Sequence, residues 1–339
     1  MTKRYIWQPT TAEIADRFGI DRARVVRFDQ NTSPDPTEWT VPFVPPDLPG
    51  LNEYPAATYR PLREAAARYA GVSPQEVVPG AGVDELIILA ARAFLPPGGR
   101  ARGYTPTYPL YRIATEQQGA TFEGLSGAGS EQGRGADLTW ICVPNNPTGD
   151  RLPDETIERI IRASSGIVVL DAAYAEFTGD RWGEWIGRFD HLLVLHTLSK
   201  GFGLAGIRVG YAIGNPALID SIDLIRPPGS ISTVSDTLAI AALSEPDRMH
   251  HSVDRLIAER ERFRDRLAGL GLEVQPSEAN FLLAHVGPDA QSLAEGLMSE
   301  GLVVREFRHI PELIDHLRFT VRSATDNNRL INAIERIRS

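Results

Sequence analysis

The chain has 339 residues, 42% of them hydrophobic, and carries 35 lysines and arginines against 44 aspartates and glutamates, for a formal net charge of −9. That size supports one large folded unit plus a smaller one, and basic residues interspersed with acidic ones argue against nucleic acid or an acidic membrane surface as the main partner. The apolar runs are too short to cross a membrane, the first twenty residues lack a signal-like apolar stretch and the single cysteine excludes an internal disulfide, so a cytoplasmic protein is expected.

Residues 31–55 are rich in proline and polar side chains and read as an irregular arm. A helix follows over 59–69, with Leu62, Ala65, Ala66 and Tyr69 on one face. After Val77 and Val78, the turn Gly80-Ala81-Gly82-Val83-Asp84 opens an apolar helix through Phe94, which Pro96-Pro97-Gly98-Gly99 ends. Apolar runs at 138–143, 167–170, 192–195 and 209–213 read as strands alternating with helical segments, and Cys142 reads as a core residue of the first. Long helices are expected over 237–270, then strands at 281–284, 302–305 and 317–321 mixed with helices. The predicted fold class is α/β, with a mostly parallel sheet between helices in a large unit at 46–235. A smaller α+β unit is assembled from 1–45 and 236–339.

The chemistry is densest in Thr197-Leu198-Ser199-Lys200-Gly201-Phe202-Gly203, with Arg208 eight positions after the lysine. A lysine amine can condense with an aldehyde, and hydroxyls and an arginine can hold a phosphate. Taken alone, a strand, a glycine-rich loop and a solvated lysine account for the same residues. Other segments decide the matter: Asn145-Asn146-Pro147-Thr148-Gly149, Leu170-Asp171-Ala172-Ala173-Tyr174, the turn at Gly82, Pro106-Thr107-Tyr108, and Leu317-Arg318-Phe319-Thr320-Val321. Singly, each has a plain reading as a turn, a helix cap or a core aromatic.

In this order they resemble the fold-type I pyridoxal-phosphate (PLP) enzymes, in particular the histidinol-phosphate aminotransferase group, over roughly 28–328. The resemblance implies PLP as cofactor, Lys200 as the residue that binds it and moves protons, and Asp171 as the acid that keeps the pyridine nitrogen protonated. It places Asn146 and Tyr174 on the ring oxygen, Tyr108 against the ring, and Gly82, Val83, Asp84, Thr197, Ser199 and Arg208 around the phosphate. Tyr54 would reach that phosphate from the neighbouring subunit of a homodimer. Arg318 would fork onto a substrate carboxylate, Arg305 would meet a substrate phosphate, and Asn31 would lie at the substrate mouth. No metal is implied. The expected reaction transfers an amino group from histidinol phosphate to 2-oxoglutarate. Rival readings are a threonine-phosphate decarboxylase, an aminotransferase for another amino acid and, more remotely, a non-catalytic PLP-fold binding protein.

The chain departs from the group's pattern in places. Thr32-Ser33 follows Asn31 where Glu-Asn or Glu-Tyr is usual, and Ala172 replaces a glutamate. Pro227-Pro228-Gly229-Ser230 lacks an aromatic–asparagine pair, and Arg322 stands where a glycine is usual. The departures at 32–33 and 322 fall near regions that select the substrate side chain.

Overall fold

A computed structural model describes residues 8–34, 52–127 and 134–338; most of the expected arm, and the unit boundary at 45/46, lie outside the described residues. The central sheet contains β2 (Val77–Gly80), β3 (Arg100–Thr105), β4 (Thr121–Ser126), β5 (Leu138–Cys142), β6 (Ile167–Asp171), β7 (Leu192–Thr197) and β8 (Gly210–Gly214). Their spatial order is β2-β8-β7-β6-β5-β3-β4. The run from β7 to β4 is parallel, and β8 lies antiparallel to both β7 and β2. Loop 198–209 holds only one short helical turn, Ala205–Ile207, so the chain turns straight back instead of crossing over to a parallel position.

Strands β5 and β7 are buried along their whole length, and β6 along all but its first residue. Covered on both faces, they read in sequence as unbroken apolar runs. On one face, Leu86, Ile87 and Ala90 of α3 (Val83–Phe94) pack with Tyr111 and Ala114 of α4 (Leu110–Gln117) and with Ile219 and Ile222 of α7 (Pro216–Asp223). On the other, Leu62 and Ala66 of α2 (Arg60–Ala70) pack with Ile157 and Ile161 of α5 (Asp154–Ala163). Strands β3 and β4 have no apolar run to announce them: polar Arg102 pairs with Glu123 and Gly103 with Gly124, a register that leaves room for Phe122 and Thr105.

The helical stretch expected from Thr237 starts earlier, at Thr233, where the Ser232 hydroxyl accepts from Ser235 N. It divides into α8 (Thr233–Ser244) and α9 (Pro246–Gly269) because Pro246 is tolerated only in a first turn. A second, antiparallel sheet follows in the order β12 (Arg305–Glu306), β13 (His316–Thr320), β10 (Phe281–His285), β9 (Glu273–Val274). The strand expected at 302–305 is two strands. Its first half, β11 (Leu302–Val303), pairs in parallel with β1 (Val26–Arg27), and its second half joins β13. The chain's early and late segments thereby meet, and the helix α11 (Ala324–Arg338) closes the fold. No described helix is long and apolar enough to cross a membrane.

Tyr59 joins α2 to the segment before α8. Its buried hydroxyl accepts from Ile231 N at 3.0 Å and faces Ile231 O at 2.9 Å, while Arg226 lies 5.0 Å over its ring. Tyr59→Phe strands both backbone groups of a buried residue and lowers the unfolding free energy by about 2 kcal/mol. Urea unfolding of the two proteins measures it, and equal midpoints would show that the hydroxyl carries no net stability.

Candidate active site

The ends of β5, β6 and β7 and the loops that follow them border one cavity of about 530 Å³, the place where parallel sheets gather ligand-binding residues. Asn31, Val83, Asp84, Tyr108, Asn146, Asp171, Tyr174, Thr197, Ser199, Lys200, Arg208, Arg305 and Arg318 all line it.

Asp171 closes β6 with 3% of its surface exposed. The Tyr111 hydroxyl donates to one carboxylate oxygen at 2.6 Å and Ala173 N donates to the other at 3.0 Å. Burial pushes the Asp171 pKa up to about 6, while these two donors pull the other way. Tyr111 is itself held flat against Trp140, with ring centroids 5.1 Å apart. The sequence does not single Tyr111 out, because its place on the buried face of α4 is that of an ordinary core residue.

The Lys200 amine donates to Gln30 O at 3.2 Å and Asn31 O at 3.1 Å, and stands 5.9 Å from the centre of the Tyr174 ring. Burial, joined by the positive charges of Arg318 and Arg208, lowers its pKa to about 8. A free amine is therefore far more abundant here near neutral pH than on an exposed lysine.

An anion cradle lies beside it. Thr197 and Ser199 place their hydroxyls 3.0 Å apart at the end of β7, both buried. The N-terminus of α3, with its free N–H groups, opens at Gly82, whose φ of +83° suits glycine. A Cβ there would lie 2.7 Å from Arg208 Nη2. Arg208 reaches this point from a left-handed conformation, φ +54°. The Asp84 carboxylate accepts from Arg208 Nη2 at 3.2 Å and from Tyr108 Oη at 3.0 Å, contacts for which a bound phosphate would compete.

The opposite wall is a strap, residues 28–34, laid across β13. Thr320 N donates to Phe28 O at 2.8 Å, Arg318 Nη2 to Asp29 O at 2.7 Å, and Asn31 N to the Thr320 hydroxyl at 2.9 Å. Asn31 takes a left-handed conformation, φ +53°, which asparagine tolerates better than most residues. Its side-chain amide donates to Tyr174 Oη at 3.1 Å, and its carbonyl also accepts from Asn280 at 3.1 Å. Arg318, 6% exposed, donates to Asn146 Oδ1 at 2.6 Å and stacks 5.1 Å over Phe281. Arg27, paired with Asp29 at 2.6 Å, lines the same cavity and was absent from the sequence reading, as was Asn280; Thr320 stood in one of its segments without a role. Tyr54 does not join the site: it is 96% exposed on this subunit.

These residues suit the cofactor that the resemblance implies. An amine of lowered pKa, a buried carboxylate, an aromatic side chain at the wall and a donor cradle cleared by Gly82 share one cavity. Among the described residues no cluster of three or more His, Cys, Asp or Glu could hold a metal ion.

Comparison with known proteins agrees with this geometry. The family model for aminotransferase class I and II matches residues 27–337. A histidinol-phosphate aminotransferase of Caldanaerobacter subterraneus subsp. tengcongensis is 36% identical over 301 residues, 85% of each chain. The fold matches that of the Sinorhizobium meliloti histidinol-phosphate aminotransferase solved with pyridoxal-5′-phosphate, with a TM-score of 0.88, 24% identity and coverage of 98% of this chain and 96% of that one. It also matches an L-threonine-O-3-phosphate decarboxylase of Porphyromonas gingivalis, with a TM-score of 0.82, 22% identity and coverage of 92% and 99%. The fold is therefore common to both reactions.

Tyr111→Phe removes a donor that favours the charged form of Asp171, so the carboxylate becomes harder to ionise and its pKa rises above about 6. The acidic limb of the kcat–pH profile is expected to move to higher pH by about one unit. An acidic limb that stays in place would remove Tyr111 from the control of Asp171.

Proposed function

We propose that this chain, which belongs to the class I and II aminotransferases, uses PLP to move the amino group of histidinol phosphate onto 2-oxoglutarate, yielding glutamate, in cytoplasmic histidine biosynthesis. One observation carries the reading. A single cavity joins Lys200, Asp171 and the Arg208 cradle on one side to Arg318 and Arg305 on the other. A molecule with an amine at one end and a phosphate at the other fits that separation of roles. The division into a large PLP-binding unit at 46–235 and a smaller unit from the two chain ends is part of the same proposal.

Bound PLP supplies a ring that withdraws the electron pair left on the substrate's α-carbon. The protein's residues do the rest. Thr197, Ser199, Arg208 and the N–H groups opening α3 fix the cofactor phosphate. Asp171, ionised above about pH 6, stabilises a protonated pyridine nitrogen. Asn146 and Tyr174 would hold the ring oxygen, and Tyr108 would lie against the ring; all three line the cavity. Lys200 first holds the cofactor. The Lys200 amine, with a pKa lowered to about 8, would be the base that takes the proton from the substrate's α-carbon.

Histidinol phosphate has no α-carboxylate, whereas glutamate and 2-oxoglutarate have two carboxylates each. The two arginines therefore serve a phosphate in one half-reaction and carboxylates in the other. Arg318, a planar fork pre-oriented by Asn146 and Asp29, takes the α-carboxylate, and Arg305 takes the phosphate.

Adding histidinol phosphate to the PLP-loaded protein is expected to abolish the cofactor's visible band, and 2-oxoglutarate to restore it with formation of glutamate. Lys200→Ala should turn over neither. A band indifferent to histidinol phosphate would sink the substrate, and carbon dioxide released from O-phosphothreonine would convert the reading to a decarboxylase.

The exposed Tyr54 supports a homodimer in which it completes the partner's site. Mixing Lys200→Ala with Tyr54→Ala subunits then recreates one intact site per hybrid dimer. Random reassortment should restore about a quarter of wild-type activity. Activity no higher than that of the separate variants would show that Tyr54 serves its own subunit or none.

A further inference from the structure

Two of the chain's departures from the group it resembles lie about 290 positions apart in sequence and touch in space. Arg322 Nη1 donates to Thr32 O at 3.2 Å and to Ser33 O at 2.9 Å, and its Nη2 donates to Pro34 O at 3.3 Å. We propose that Arg322 is a positioning residue that fastens the strap across the cavity mouth and thereby sets the affinity for the amino donor.

The geometry follows from strand periodicity. Positions 318, 320 and 322 alternate along β13 and its continuation, so their side chains share a face. Each holds a successive piece of the strap. Arg318 takes Asp29 O, Thr320 takes the Asn31 backbone N–H, and Arg322 takes the carbonyls that follow. Three carbonyls converging on one cation suit a guanidinium, which carries five donors in a fixed plane; the ammonium of lysine has three donors and no such plane.

What the strap does makes the fastening matter. Gln30, Asn31 and Thr32 line the cavity, the first two supply the carbonyls that receive the Lys200 amine, and the Asn31 amide meets Tyr174 Oη. The left-handed turn at Asn31 is a conformation that the chain leaves easily unless both flanks are held. Arg318 and Thr320 hold the flank before it, and Arg322 holds the flank after it. Releasing the second flank shifts the wall that the donor's side chain meets, while the cofactor cradle around Arg208 stays in place.

Removing the guanidinium leaves the local backbone anchored. Arg322 N donates to Asn327 Oδ1 at 3.1 Å, and the Ser323 hydroxyl accepts from Asp326 N at 3.1 Å at the start of α11. Arg322→Ala is therefore expected to fold, and Arg322→Lys, which keeps charge and stem but loses the plane, provides a milder second variant.

Amide hydrogen exchange of the cofactor-free chain tests the fastening. The Asn31 amide, which donates to the Thr320 hydroxyl, should exchange at least about tenfold faster in Arg322→Ala, with a smaller change in the same direction in Arg322→Lys. Steady-state kinetics tests the consequence: KM for histidinol phosphate should rise about tenfold in the alanine variant while kcat stays within about threefold, and lysine should recover part of the loss. The kinetic measurement rests on the proposed transamination and the exchange measurement does not, so the two readings fail separately. Unchanged exchange in both variants overturns the proposal. So does faster exchange accompanied by an unchanged KM.

Discussion

A carboxylate placed at the covered end of a central strand must have its charge answered, and in this protein that carboxylate is Asp171. Leaving it uncompensated would favour its neutral form, which cannot hold a proton on a ring nitrogen. The fold meets the requirement in stages. Ala173 N and the Tyr111 hydroxyl supply two donors, and Trp140 fixes the plane of Tyr111. In the proposed reaction the remaining compensation would come from the protonated ring of the bound cofactor. Apolar sheet packing, the stacked pair beneath it and the placement of α4 all converge on one ionised group, and the Lys200 amine is tuned by the same burial in the opposite sense.

Around that centre the site divides by rigidity. The cofactor side rests on strand ends and a helix start, elements packed on both faces by the two main clusters of the core. The substrate side rests on irregular backbone, the strap at 28–34, which owes its shape to side chains of β13, β10 and the segment after β13. Solved structures of an aminotransferase and of a decarboxylase share the fold, so the fold by itself does not separate the two reactions.

Much of the centre was legible because its residues sit where apolar runs stop. Asp171, Asn146 and Lys200 each follow a buried strand, and a strand buried on both faces prints itself as an unbroken run. What stayed hidden were relations between distant residues. Tyr111 carries the spacing of a core aromatic, and nothing local reveals that its hydroxyl reaches a residue 60 positions on. Strands β3 and β4 escaped because their burial is partial and two glycines pair in their middle. The reversed direction of β8 depends on how loop 198–209 turns, and the contact of Arg322 with the strap joins two places that local patterns describe separately.

The strap and its fasteners lie far apart along the polypeptide: residues 28–34 are made long before 318–322. The cofactor cradle, built from residues 82–208, is complete much earlier in translation. A nascent chain thus holds its cradle for the time needed to add more than a hundred further residues before the wall over Lys200 acquires its anchor. Chains released short of β13 carry the strap but lack the side chains at 318, 320 and 322 that fasten it. The order of synthesis leaves such fragments with the residues of the cradle but without the fastened wall that faces Lys200.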